Sequence, residues 1–145
     1  MMPSQIFVRI ASAIRDDPTV QAWCMEHFHR RPEVRIGFDP ERTPDSERYP
    51  VVNVLRNTAA RSNAVRRTEM NVLMGVGVHA PGEEVLDNGV IVINGELLIE
   101  DFRYLAEGAV CNARLGRVDP SSDVPEGVPL PYHLNWSALL ISNIR

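Results

Sequence analysis

"VIVINGELLIEDFRYLAEGAVCNARLG", Val90 to Gly116, carries two incompatible signals, and the choice between them sets the fold class. Asn94-Gly95 between apolar runs is a strong mark of a β-hairpin. Leu98, Phe102, Leu105, Ala109 and Ala113 instead recur at helical spacing and form one apolar stripe. The helical reading is adopted here, with Asn94 as the cap, Gly116 as the end, and "VIVI" as a short strand or extended lead-in.

Upstream of this helix the signals are those of strands. In "TEMNVLMGVGVHA", Met70, Val72, Met74, Val76 and Val78 alternate over the clearest strand of the chain, with Gly75 and Gly77 on its other face. "PGEEVLDNG" then reads as a turn-rich acidic loop. "EVRIGFD" alternates Val34, Ile36 and Phe38 as a half-buried strand, and "VVNVLRN" reads as another. Between them, "PERTPDSERYP" has no apolar period and reads as an exposed loop or arm. "AARSNAVRR" is short and polar.

The N-terminal segment reads as two helices. Ile6, Phe7, Ile10, Ala13 and Ile14 give one apolar face, and Val20, Trp23, Cys24, His27 and Phe28 another. Ser4 is the expected cap of the first, Asp16-Asp17-Pro18 separates the pair, and Arg30, Arg31 and Pro32 end the second. Downstream, "VDPSSDVPEGVPLP" reads as a second long loop. "YHLNWSALLISNI" closes the chain as a strand with Tyr132, Leu134, Trp136, Ala138 and Leu140 on one side. The expectation is a single α+β domain over residues 1–145, a mainly antiparallel sheet packed by N-terminal helices and one late helix.

Composition bounds the function. A chain of 145 residues, 44% hydrophobic and 23% charged, has a globular composition and suffices for one domain. No apolar run approaches the ~18 residues of a membrane span, and Arg9, Arg15, Asp16 and Asp17 interrupt any signal-peptide pattern, so a cytoplasmic setting is expected. Cys24 and Cys111 are too few for a disulfide framework. A net charge of −4 argues against tight sequence-specific DNA binding. All 15 basic residues are Arg, which reads as coding bias.

The chemistry-bearing candidates are weak. Cys24, Glu26, His27 and His29 gather four possible metal ligands in six residues, but on a helix only Cys24 and His27 share a face. The remaining candidates, His79, Cys111 and His133, show no paired spacing, so no metal, cofactor or catalytic residue is assigned. No Ser sits in a Gly-x-Ser-x-Gly elbow, and Cys111 reads as a small core residue within the late helix. Glu83 and Glu84 read as solvated acids, and "MGVGVHAPGEE" lacks the Lys and the following helix of a phosphate loop. Two Pro-rich charged loops and long strands point instead to an interaction protein rather than an enzyme. Arg42, Arg48, Arg66 and Arg67 are candidates for intersubunit pairs with Asp or Glu, against the plainer reading of solvated surface charges.

The order of elements resembles the tail-terminator (tail-completion) proteins of tailed bacteriophages and of related prophage or tail-like particles. The resemblance runs over nearly the whole chain, from "RIGFDPE" through "RYPVVNVLR", "RRTEMNVLMGVGVHA" and "ELLIEDFRYLAEGAV" to "HLNWSALLISNI". Its most similar features are Tyr49-Pro50 opening a strand and the long strand behind Arg66-Arg67. It implies a non-enzymatic homohexameric ring that caps the head-proximal end of the tail tube, stops its polymerisation and docks the head connector. The implied partners are further copies of the chain, the tail tube protein and a connector or stopper protein, with a sheath protein as a further candidate; the implied location is the tail neck of the virion. Strand edges, the 39–49 and 117–131 loops, and Arg42, Arg48, Tyr49, Arg66 and Arg67 are the expected interface. Glu83, Glu84 and Asp87 are candidate channel-facing acids, suited to letting DNA pass without binding it. The alternatives are another neck protein, a head-closure or head-tail adaptor, and a small metal-dependent enzyme using Cys24, His27 or His29.

Overall fold

The computed structural model describes residues 2–39, 41–42, 44–57, 69–121 and 133–144. Two prolines at first helical positions, where a missing N–H costs nothing, start the N-terminal pair: α1 (Pro3–Asp16) and α2 (Pro18–Phe28). Met2, not Ser4, caps α1, its backbone N–H donating to Gln5 Oε1 at 2.9 Å. Asp17 caps α2 by accepting from the Val20 N–H at 2.9 Å. His29 ends α2 in the left-handed conformation, with φ 59°.

The chain then runs through β1 (Glu33–Ile36), a single 3₁₀ turn (Ser46–Arg48), β2 (Val51–Arg56) and β3 (Met70–Val78). A hairpin follows, β4 (Glu83–Val85) and β5 (Ile91–Ile93), and leads directly into α3 (Glu96–Asn112). The edge strand β6 (Arg117–Pro120) and the long β7 (His133–Ser142) complete the chain. One sheet has the order β1-β2-β3-β7-β6, and β4-β5 form a separate two-stranded sheet. All pairs are antiparallel except β1 with β2, so the 37–50 connection carries the chain back to the end where β1 began.

The expected α+β architecture with a mainly antiparallel sheet is what forms. Period two on β3 puts Val72, Met74, Val76 and Val78 in one row, joined by Val52 and Val54 of β2 and Leu139 and Ile141 of β7. Against this row pack Ile6, Ile10 and Ile14 of α1, Val20 and Cys24 of α2, and Ile99, Phe102, Ala106, Ala109 and Val110 of α3. Trp23 stacks on Phe102 with ring centroids 5.2 Å apart, locking α2 to α3.

Several sequence expectations need correction. The "GEEVLDNG" stretch is not simply a loop, because Glu83–Val85 pair with Ile91–Ile93 around a turn in which the Gly89 N–H donates to Leu86 O at 2.9 Å. Gly89, with φ 84°, supplies the left-handed residue that this turn requires. The hairpin signal was therefore Asn88-Gly89 rather than Asn94-Gly95. Asn94 caps no helix; its N–H donates to Gly82 O and its side chain to Pro81 O, closing the hairpin base, and Gly95 is the cap of α3. The helix stops at Asn112, short of Gly116. The expected 117–131 loop begins as β6, and residues 122–132 lie outside the described residues.

A candidate assembly surface

The six-residue cluster that opens the metal question does not converge. Cys24 is fully buried in the core, and burial pushes its thiol up to about 12, which disfavours the thiolate a metal needs. His27 is exposed, its ring 4.7 Å from that of Trp23, and His29 is exposed beyond the helix end. Among the described residues no group of three or more His, Cys, Asp or Glu is placed to hold a metal ion. Cys111, expected in the core, is exposed instead, because it lies off the stripe through Ala106, Ala109 and Val110.

The expected interface residues are scattered. Arg42 is 88% exposed at its side chain and stands 3.9 Å from Asp39. Arg48 reaches Glu33 at 3.5 Å, a carboxylate that also holds Arg35 at 2.9 Å, so this guanidinium is committed within the chain. Tyr49 is buried within the chain, its ring 6.5 Å from that of His79, and its bond to Pro50 is cis. Arg66 and Arg67 lie outside the described residues.

The hairpin brings the remaining candidates together. Glu83, Glu84 and Asp87 are all exposed on β4 or its turn. Strand alternation sets Glu83 and Val85 on one face, opposite Ile93 and Ile91, and Glu84 on the other, opposite Val92. Val85, Ile91 and Ile93 are 68%, 59% and 49% exposed, and Leu86 and Val90 flank them in the turn. A two-stranded hairpin showing an apolar face to water is marginal by itself. It gains stability when that face is covered. No protein-family model matches the chain, and no curated protein does.

A second polar feature went unread in the sequence. Glu100, Arg103 and Glu107 lie along α3, and Arg103 bridges the two acids at 2.8 and 3.2 Å. Across the gap, Ser137 of β7 donates to Glu107 Oε1 and Asn135 donates to Glu100 Oε1. The hydrogen bond to Glu100 leads in holding the Arg103 guanidinium above its ordinary range. Its signal was present as Asn135 and Ser137 alternating on the helix-facing row of β7. This network contains no histidine, and its chemistry is that of a brace between α3 and the sheet.

Among the described residues no helix is long and apolar enough to cross a membrane.

Proposed function

We propose that the chain is a tail terminator: a non-enzymatic structural protein that closes as a homohexameric ring on the head-proximal end of a tail tube, halts its growth and presents a docking surface to the head connector or stopper. The observation that carries this reading is the β4-β5 hairpin, whose exposed Val85, Ile91 and Ile93 stand beside Glu83, Glu84 and Asp87. Such a surface fits burial against another chain better than solitary display in water. A head-to-tail contact that closes by rotation gives a ring. The resemblance in element order supplies the identity of the ring, and the acids suit a channel that DNA crosses without adhering.

The test is genetic. In a particle that encodes the chain, removal of its gene should give overlong or headless tails in electron micrographs. Normal-length tails joined to heads would contradict the proposal. Purified protein should also bind isolated tail tube; binding to connector alone would assign it to head closure instead.

A further inference from the structure

Beyond the hairpin, α3 ends beside an open cavity of about 420 Å³, lined among the described residues by Cys111, Arg114, Gly116, Arg117 and Asn143. Among the described residues, two guanidiniums and no carboxylate line it. Arg117 meets Asp119 at 2.9 Å, whereas Arg114, held outward in the left-handed region at φ 53°, forms no ion pair among the described residues. The hairpin is the electrostatic opposite: from Ala80 to Phe102 the sequence holds Glu83, Glu84, Asp87, Glu96, Glu100 and Asp101 and not one Arg.

The two surfaces cannot meet within one molecule. The hairpin joins the first turn of α3, the cavity lies past its last turn, and a 17-residue helix spans about 25 Å at ~1.5 Å per residue. We infer that the β4-β5 hairpin of one copy seats at the Arg114–Arg117 cavity of the next, its acids meeting the two guanidiniums and its apolar face covered by the neighbour. The contact uses two different patches of the same chain, so it is head-to-tail and leaves one hairpin and one cavity free until a ring closes. Desolvating the apolar face supplies affinity, and the charges fix which end meets which. The inference rests on the self-association in the proposed function and not on the tail role.

Two full-length variants test it: Glu83→Arg with Asp87→Arg on the hairpin, Glu83 sharing the apolar face, and Arg114→Glu with Arg117→Glu at the cavity. All four positions are exposed, so circular dichroism and melting temperature should match wild type. By light scattering, wild type should assemble with rising concentration, each variant alone should assemble at least tenfold more weakly, and an equimolar mixture should regain assembly, because each variant then offers the other a complementary patch. Failure of the mixture to recover would overturn the inference. Variants that assemble like wild type would overturn it while leaving the ring standing. A hairpin variant of wild-type size that no longer binds tail tube would assign the hairpin to the tube and overturn it too. Wild type that stays monomeric at every concentration would overturn both the inference and the ring.

Discussion

Cys24 and Cys111 show how position, not residue type, decides chemistry. A thiol reagent at pH 8 should label one cysteine per native chain quickly, exposed Cys111, and reach Cys24 only on unfolding; two fast thiols would contradict the burial. The pH dependence has a definite sign. Burial holds the Cys24 thiol neutral up to about 12, while an unfolded chain releases the proton near the ordinary 9.0. Its contribution to stability is therefore intact below about pH 9 and falls as pH rises toward 12, by at most about 1.4 kcal/mol per unit. In Cys24→Ala this alkaline limb should flatten in denaturant melts across that range, whatever stability the substitution itself costs. Phe102, fully buried and stacked on Trp23, should cost about 3–5 kcal/mol when replaced by Ala, measured the same way. Sequence spacing identified Phe102 and Cys24 as core residues, because helical periodicity reports which side chains share a face. It could not separate Cys24 from His27, which shares that face but lies one turn nearer the exposed helix end.

Element by element, periodic segments were legible and their boundaries were not. The alternation of β3 and the stripe of α3 each have many residues voting for one period, so both formed as expected. The short strands β4 and β6 have three and four residues, too few for a period to outweigh their Pro, Gly and acidic neighbours. The acidic face candidates were thus visible while the apolar face beside them was not. Caps depend on geometry: Asp17, read in the sequence only as part of the break before Pro18, caps α2, whereas Asn94 gave its hydrogen bonds to the hairpin base. Asp17→Ala should lower stability by about 1 kcal/mol in thermal or urea melts, since the Val20 N–H loses its acceptor. Gly116 tests the join between α3 and β6. A methyl group there would overlap the Ser142 carbonyl and crowd Ile141 and Ile144, so Gly116→Ala should destabilise by about 1–3 kcal/mol. Ser137→Ala removes a donor from Glu107 and should cost about 1–2 kcal/mol by the same measurement.

At the scale of the whole molecule, charge is unevenly shared. Residues 1–67 hold eleven of the fifteen arginines, whereas residues 68–145 hold eleven of the nineteen acids. A net charge of −4 conceals this division, and it conceals too that both patches of the inferred contact, the acidic hairpin and Arg114–Arg117, lie in the acid-rich part of the chain. Self-association through unlike patches should weaken as salt screens the acidic hairpin from its basic partner. It should persist in part because the apolar face is indifferent to salt. The fold class followed from counting strands and helices along the chain, but the juxtaposition of exposed valine and isoleucine with three acids needed the hairpin's register. Whether identical copies close into a ring can be read from a native mass spectrum of the purified protein across a concentration series. A species of six copies is the expected result. A monomer at every concentration, or a dimer that grows no further, would contradict it.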